Sequence, residues 1–330
     1  MVKKVKKFDF LVCGNAGLNK FVDLDRPFEV GRTSHNLNEN FDEFYLGGTG
    51  LNISYDLAKL GAKVMPVLAF GSDKNLEKLS GMFEELGMPS CALEPAIDGV
   101  FGYTILFRDS NGNHVTLVMH NSTEKKAPKP MQDEWFQNAE WGILGIARPE
   151  NVVEFLKYCK KNNLPMAFSM KADSIIFPDS VLKEILAYST IIFMNVLEKE
   201  YINNLLGLRE ITELFSRGKA KILVVSDGAD GSEVYAAKTA DSYRKIHVPA
   251  TESNCVVDVS GAGDAYLSGF LYGLKQGKDL ETCAQWGSTT AAFVIEKYGC
   301  ISNAPSFEQM IRRNARRKDA MNNSVANTCK

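Results

Sequence analysis

The sequence predicts an α/β protein with a mostly parallel central sheet flanked by helices. Short apolar runs alternate along the chain with amphipathic stretches that end at glycine or asparagine, which is the pattern of βαβ units. The 330 residues suffice for one large α/β domain or two medium ones with a sizeable buried core. Two segments break the alternation and predict inserted β structure. We therefore expect a single domain over residues 1–330.

The first elements follow the alternation closely. FDFLVCGN is an apolar run closed by Gly14 and Asn15 and predicts a buried strand. LNISYDLAKLGA has apolar residues at helical spacing and stops at Gly61, a residue type that commonly follows a helix. KVMPVLAFG then predicts a strand and NLEKLSGMFEELGM a helix. This order is typical of a parallel sheet.

Two segments, about residues 20–46 and 97–121, depart from this pattern. The first is polar and aromatic and has no helical period. The second contains two apolar runs on either side of RDSNGN, which predicts a hairpin with Asn111 and Gly112 at its turn. We predict that both segments form β structure outside the central sheet.

The alternation returns at Trp141. The predicted strands are WGILGIA, PMAFSM, TIIFMN and KILVVSDG. The predicted helices are ENVVEFLKYCKKNN, PDSVLKEILAY, one that opens at about residue 262 and one over residues 279–297. Residues 312–330 are polar and basic, and we expect a solvated tail there rather than a nucleic-acid-binding segment.

Composition and charge exclude several classes of protein. The net charge of −2 lacks the basic surplus of nucleic-acid-binding proteins. No apolar run approaches the roughly 18 residues of a membrane span, and the apolar part of the start MVKKVKKFDFLVCG is too short for a signal peptide. The 7 cysteines are scattered without a CxxC pair, so we expect buried thiols in the cytoplasm rather than a disulfide framework or a metal site.

The stretch DVSGAGDAY, residues 258–266, carries the strongest chemical signal. Its glycines stand where a helix opens, and they let free backbone N–H groups approach an anion such as phosphate. Asp264 in the same turn would repel phosphate, but it suits a base that takes a proton from an attacking hydroxyl. The alternative is that Asp264 only caps the helix.

Two other nucleotide-binding patterns are weaker. The chain has no Walker A sequence, which argues against a P-loop kinase. GGTGLN, residues 47–52, resembles a dinucleotide fingerprint, but Ile53 occupies the position of its third glycine. An NAD-dependent oxidoreductase would explain GGTG and the α/β alternation, yet it would leave residues 261–264 without a role.

GGTGLNISYDLAKLGAKVMPVLAFGSD and DVSGAGDAYLSGFLYGL together resemble the two signatures of the PfkB (ribokinase-like) carbohydrate and nucleoside kinase family, in the order that the family uses. The similarity covers about residues 8–305. It implies a three-layer ribokinase-like fold with a small β lid formed by residues 20–46 and 97–121. It also implies ATP-dependent phosphorylation of a hydroxymethyl group, with Mg²⁺.

The resemblance assigns roles to individual residues. Asp264 is the base, and the N–H groups of the anion hole come from Gly261, Ala262 and Gly263. The residues that contact substrate hydroxyls are Gly47, Gly48 and Asn52. On the residues alone, an ordinary tight turn and an asparagine at a helix start explain that last group equally well.

The same resemblance implies nucleotide and metal sites. Asn195 and Glu198 in NVLE match the element that places Mg²⁺ through water, although helix capping explains NxxE equally well. Asp258 matches a monovalent-cation (K⁺) ligand of some members. The residues that match the ATP-binding loop and adenine site are Ser226, Gly228, Gly231 and Ser288, and for Ser288 a helix-packing role remains open.

Asn19 departs from the family pattern, because many members have an aspartate there that grips two sugar hydroxyls. The segment CAQWGSTTAAFVIEKYGC is slightly more similar to adenosine kinases than to ribokinase or fructokinase, and Phe101 and Tyr103 offer rings that could stack on a base. We therefore predict an adenosine-like nucleoside as substrate, with a sugar as the alternative and a non-catalytic regulatory relative as the second alternative. Exposed lid strands would favour a homodimer.

Overall fold

The structure is a computed structural model that describes residues 6–70, 73–91, 93–95, 103–119, 130–240 and 242–316. Its described part contains no helix long and apolar enough to cross a membrane. Two sheets organise the chain: a nine-stranded central sheet and a separate four-stranded sheet.

The central sheet has the order β13-β12-β11-β10-β9-β8-β1-β4-β5. All neighbouring strands run parallel except at one edge, where β12 pairs antiparallel with β11 and with β13. The strands are β1 (Phe8–Asn15), β4 (Val64–Phe70), β5 (Leu93–Pro95), β8 (Ala139–Leu144), β9 (Met166–Ser169), β10 (Ile191–Asn195), β11 (Ile222–Ser226), β12 (Ser232–Thr239) and β13 (Ser242–Val248). The mostly parallel sheet is confirmed, while the antiparallel edge is an addition to the sequence prediction.

Helices cover both faces of the central sheet and form two hydrophobic cores. In β1, Leu11 and Cys13 enter one core while Phe10 and Val12 enter the other, as the alternating side chains of a strand require. This arrangement confirms the three-layer fold. The helices are α1 (Thr49–Lys59), α2 (Asp73–Glu85), α3 (Asp133–Gln137), α4 (Pro149–Lys161), α5 (Asp179–Tyr188), α6 (Val196–Leu206), α7 (Leu214–Arg217), α8 (Ala262–Lys275) and α9 (Leu280–Val294).

The smaller sheet, which we call the lid, has the order β3-β2-β6-β7. Its strands are β2 (Gly17–Asp23), β3 (Tyr45–Gly47), β6 (Tyr103–Arg108) and β7 (His114–Met119). Since β2 begins at Gly17, the lid starts before residue 20, only two residues after β1 ends. Of the second predicted lid segment, residues 97–102 and 120–121 lie outside the described chain.

An ion pair joins two strands of the lid, and an aromatic hydroxyl connects the same aspartate to the body of the protein. The Nε of Arg108 in β6 donates to Asp23 Oδ1 in β2 over 2.8 Å, and the Tyr298 hydroxyl donates to the other oxygen of Asp23. Tyr298 follows α9, so this contact joins the end of β2 to the segment after α9.

The described chain ends in a helix over residues 307–316, which takes in the first five residues of the predicted tail. Arg313 in this helix pairs with Glu296 over 3.0 Å, and Asn314 is buried. Residues 317–330 lie outside the described chain.

A close backbone contact sets the position of α1 against the central sheet. Gly50 in the first turn of α1 lies against Gly14 at the end of β1, and a Cβ atom on Gly50 would come within 2.6 Å of the Gly14 Cα. Only glycine allows this approach. The contact places the first turns of α1 at the carboxyl end of β1, where open α/β sheets bind their ligands.

We predict that Gly50→Ala lowers the free energy of unfolding by about 1–3 kcal/mol, because its new Cβ forces the two backbones apart. Gly81→Ala is the matched control: it lies in α2 with no atom near its Cβ position, so alanine should stabilise that helix by roughly 0.5–1 kcal/mol. Urea denaturation measures both. Equal shifts in the two variants would contradict a tight contact at Gly50.

Candidate active site

Asp264 lies in the first turn of α8, and this helix begins directly after a residue in the left-handed conformation. Gly261 caps the helix with φ 81°, a conformation that favours glycine. A Cβ atom there would also lie 2.8 Å from the Cβ of Cys300, so the position has no room for one. Asp264 is only 7% exposed. The turn therefore holds a carboxyl group in a nearly dry position at a helix N-terminus.

Asn52 is the direct partner of Asp264. Its Nδ2 donates to Asp264 Oδ2 over 2.8 Å, and both side chains are buried. Asn52 lies one turn into α1, which packs against α8. The two predicted site segments, residues 47–52 and 258–266, thus meet in this hydrogen bond although they are far apart in the sequence.

The electrostatic surroundings make Asp264 a weaker acid than an exposed aspartate. Burial raises the pKa of Asp264 to about 6, and Glu198 adds to the rise, while Lys171 and the hydrogen bond from Asn52 oppose it. A carboxyl group with this pKa is ionised near neutral pH and is basic enough to accept a proton from a hydroxyl group.

Lys171 is a site residue to which the sequence prediction gave no role. Its Nζ lies 3.5 Å from Glu198 Oε1, and its charge lowers the pKa of Asp264. The signal that could have found it is its position: it follows the buried strand β9 at the carboxyl edge of the sheet, where ligands bind. Lys171 therefore places a positive charge between two carboxylates of the candidate site.

Asn195 and Glu198 form the capping box of α6. The Asn195 side chain accepts from the Glu198 N–H over 2.8 Å, and the Asn195 N–H donates to Glu198 Oε2 over 2.8 Å. The capping explanation therefore holds at both positions. Glu198 keeps spare lone pairs on a carboxylate that is 6% exposed.

This donor set suits a Mg²⁺ ion that keeps most of its waters and does not suit a cage of protein ligands. The described residues contain no cluster of three or more histidine, cysteine or acidic side chains that could hold a metal ion.

Asp258 connects the glycine turn to the segment after α9. Its Oδ1 accepts from the Ser260 N–H over 2.9 Å and its Oδ2 from the Gly299 N–H over 3.1 Å. Burial raises the pKa of Asp258 above its ordinary value, and these hydrogen bonds offset only part of the rise. Both oxygens thus have structural partners, and a cation at Asp258 remains a prediction.

The predicted anion hole is only partly free in the structure. The Ala262 N–H donates to the Val259 carbonyl over 3.2 Å, so this donor belongs to a turn. The space beside Gly263 is open, because a Cβ atom there would meet no atom within 4 Å. An anion can approach this turn most directly at Gly263.

Two of the predicted substrate residues, Asn19 and Gly47, lie at Cys300. The Nδ2 of Asn19 donates to Cys300 Sγ over 3.3 Å and also lies directly against Gly47. Gly48 has φ 101°, and a Cβ there would come within 2.8 Å of the Asn15 carbonyl oxygen. No pattern in the sequence pointed to Cys300, because it is one of several scattered cysteines.

The predicted nucleotide residues include one that adjoins the candidate site and two that have structural roles. Ser226 is paired in register with Asn195, so the glycine loop that follows it adjoins the capping box. Gly231 packs its backbone against Val248, which alone explains a glycine there. Ser288 accepts from the Thr251 N–H over 2.7 Å and so has a structural role. A nucleotide contact remains a prediction for Ser226, Gly228, Gly231 and Ser288.

Of the two rings predicted to stack on a base, Phe101 lies outside the described residues. Tyr103 pairs in register with Leu18, and Asn19 therefore points to the opposite face of the lid. Tyr103 instead packs edge-on against Phe44, with 5.6 Å between the ring centroids. In this structure Tyr103 does not share a face with the predicted substrate residues.

The model of the pfkB family carbohydrate kinases matches residues 22–306. The chain belongs to this family. A pfkB relative, the nucleoside kinase of Methanocaldococcus jannaschii, is 30% identical over 269 residues, which cover 82% of this chain and 85% of the relative. The 5-dehydro-2-deoxygluconokinase of Bacillus subtilis is 23% identical over 92% of this chain and 95% of its own length.

A solved pfkB-type fold supports the same architecture. The crystal structure of ribokinase from Cryptococcus neoformans in complex with ADP aligns with a TM-score of 0.79 at 18% identity, covering 93% of this chain and 99% of the ribokinase chain. The ribokinase-like fold is thereby confirmed.

We predict that Lys171→Gln raises the pKa of Asp264 above its value of about 6, because the substitution removes a charge that favours the carboxylate. Carbon NMR of aspartate-labelled protein measures this titration, with Asp264→Asn to assign the signal. Lys183→Gln, an exposed substitution on α5, is the control and should leave the titration unchanged. A pKa that falls or stays constant in Lys171→Gln would exclude this role for Lys171.

Proposed function

We propose that this pfkB kinase transfers the γ-phosphate of ATP to a hydroxymethyl group of an adenosine-like nucleoside. The observation that carries the proposal is the placement of Asp264: a buried carboxyl group with a pKa of about 6, bonded to Asn52 and set beside open space at the N-terminus of α8. A residue with only a capping role would need neither the burial nor the amide partner.

In the proposed reaction Asp264 accepts the proton of the substrate hydroxyl while the oxygen of that hydroxyl attacks the γ-phosphorus. The new oxygen–phosphorus bond forms as the bond from the γ-phosphorus to the bridging oxygen of ADP breaks. The N–H groups of the Gly261–Gly263 turn face the charge on the transferred group, and that of Ala262 would exchange its turn bond for this anion. Asp264 afterwards releases its proton to solvent.

Lys171 and Glu198 would serve the same step through charge. The Lys171 ammonium can meet a phosphate oxygen while it remains near Glu198. Bound Mg²⁺ would neutralise phosphate charge, and Glu198 with Asn195 would hold it through its waters. We keep Asp258 as the candidate ligand of a monovalent cation. We keep the loop with Ser226, Gly228 and Gly231, together with Ser288, as the candidate ATP site.

The nucleoside assignment rests on the pfkB relatives. The M. jannaschii relative is named a nucleoside kinase at 30% identity. Asn19 lacks the charge of the usual aspartate and already donates to Cys300, so its hold on substrate hydroxyls is weaker whichever of the two substrate classes binds. A sugar is the second candidate, because the 5-dehydro-2-deoxygluconokinase of B. subtilis aligns over 92% of this chain.

A non-catalytic regulatory relative is the candidate from another class. Such a protein has no need of a base or an anion hole, whereas this chain keeps Asp264, Gly261 and Gly263 in a formed turn. We also propose a cytoplasmic location, which the free thiols of Cys159, Cys255, Cys283 and Cys300 support.

We predict that ADP release from ATP and Mg²⁺ requires an acceptor, and that Asp264→Asn lowers kcat by about 10²–10⁴-fold because the base is lost. A panel of nucleosides and sugars identifies the acceptor. Asp133→Asn, at the first residue of α3, is the control for an aspartate change away from the site. Acceptor-dependent turnover that survives Asp264→Asn would exclude Asp264 as the base.

The outer face of the lid supports a homodimer. Val115, Leu117 and Met119 lie on one face of the edge strand β7 and are 43–47% exposed, and Phe41 and Phe44 continue this apolar surface. Among the described residues β7 pairs with β6 alone, and an apolar face on such an edge strand favours association with a second copy. We propose that two lids pack through this face.

We predict that Leu117→Lys converts a dimer to a monomer, because it places a charge in the apolar contact. Sedimentation equilibrium measures the mass. Val153→Lys, which alters an exposed apolar residue on α4, should leave the dimer intact. A wild-type chain that sediments as a monomer would reject the proposed interface.

A further inference from the structure

Asp56 is a buried acid that the proposed reaction does not use. It lies on α1 one turn after Asn52 and is 1% exposed. Within the described chain neither of its carboxyl oxygens has a hydrogen-bond partner, and the same is true of Asn52 Oδ1. Three enclosed acceptor atoms thus lie on one side of the helix without a donor.

An ionised carboxylate would be costly in this position, since a buried charge needs a partner. Burial raises the pKa of Asp56 well above its ordinary range, and the nearby Asp264 adds to the rise. A protonated Asp56 removes the charge and also provides an O–H donor that these acceptors otherwise lack.

Helix geometry directs that donor towards Asn52. Residues four positions apart lie on the same face of a helix, with roughly 5–6 Å between their Cβ atoms. Helical side chains also lean towards the N-terminus, so the Asp56 side chain leans towards the turn that carries Asn52. Asn52 Oδ1 is fully enclosed and has no donor among the described residues, and a protonated Asp56 on the same helix face can supply one.

We propose that Asp56 is a neutral carboxylic acid that donates its proton to Asn52 Oδ1 and thereby holds the amide with Nδ2 facing Asp264. The three side chains then form one ordered series, in which Asp56 donates to Asn52 and Asn52 donates to Asp264 Oδ2. Asp56 is a positioning residue: it touches neither phosphate nor substrate and acts through Asn52.

The order of these hydrogen bonds determines which oxygen of Asp264 is available to the substrate. With the amide held in place, Asp264 Oδ2 always receives a donor and the other carboxyl oxygen remains for the substrate hydroxyl. A reversed amide would bring Asn52 Oδ1 against the carboxylate, where two acceptors repel. The effect on turnover rests on the proposed function, whereas the protonation of Asp56 is a property of the resting protein.

The charged and titratable groups around this series come from four other parts of the chain. Asp264 lies on α8, Lys171 after β9 and Glu198 on α6, and Cys300 after α9 lies close enough for Asp56 and Asp264 to raise its thiol pKa. On α1 itself, burial raises the pKa of Tyr55, and an ionised Asp56 would raise it further. Of these, Asp264 opposes ionisation of Asp56.

Infrared spectroscopy tests the protonation of Asp56 directly. At about pH 8, above the pKa of Asp264, the wild-type protein should show the carbonyl band of a protonated carboxylic acid. Asp56→Asn should lose this band, and Ser54→Ala, a buried change on the same helix, should keep it. A wild-type spectrum without the band, or a band that persists in Asp56→Asn, would overturn the proposal.

Kinetics then test the positioning role. Asp56→Asn keeps an N–H donor for Asn52, so kcat should stay close to wild type and its acid limb should stay at the same pH. Asp56→Ala removes the donor and should lower kcat by about tenfold. Equal kcat in the two variants would reject the positioning role, and an acid limb that moves to lower pH in Asp56→Asn would mean that Asp56 carries a charge.

The two experiments separate this inference from the proposed function. Absence of kinase activity in the wild type would reject the proposed function, and the infrared band would still decide whether Asp56 is protonated. Activity without the band would have the opposite meaning: the kinase assignment would stand and the neutral acid would be rejected. If Asp56→Ala fails to fold, the comparison of wild type with Asp56→Asn remains decisive.

Discussion

The hydrogen bond between Asn52 and Asp264 joins the two helices from which the candidate site is built. Each helix is positioned by backbone contacts that exclude a side chain: α1 through Gly50 against Gly14, and α8 through Gly269, where a Cβ would come within 2.6 Å of the Trp286 carbonyl oxygen on α9. Small residues at these contacts bring the helices close enough for a 2.8 Å bond. The chemistry at Asp264 therefore depends on packing some distance from it.

Burial of that bond also sets the protonation equilibrium of the base. Desolvation alone would keep Asp264 protonated to a higher pH, while Asn52 and Lys171 favour its ionised form. The resulting pKa of about 6 leaves a carboxylate near neutral pH that can still accept a proton. The site thus combines a dry position, which makes a carboxylate basic, with one amide donor and one nearby positive charge that keep it ionised.

Local patterns predicted the parts of the structure that local physics determines. FDFLVCGN corresponds to β1 over Phe8–Asn15, and the helix expected at about residue 262 begins at Ala262. The contact between Asn52 and Asp264 could be expected from the sequence, because the two motifs that contain them resemble signatures of one family. Lys171, Asp56 and Cys300 were assigned no role, because their importance arises from neighbours on other elements. The antiparallel strands β12 and β13 form a sheet edge, where exposed polar residues weaken the apolar pattern that marks buried strands.

The pH dependence of kcat/KM for acceptor-dependent ADP release tests the central claim most directly, namely that Asp264 is the base and that its burial sets its pKa. The value of kcat/KM reports groups of the free enzyme, and it should fall about tenfold per pH unit below a limb near the Asp264 pKa of about 6, because the protonated acid cannot accept the hydroxyl proton. A kcat/KM that stays constant well below that pH would contradict the assignment of Asp264 as the base.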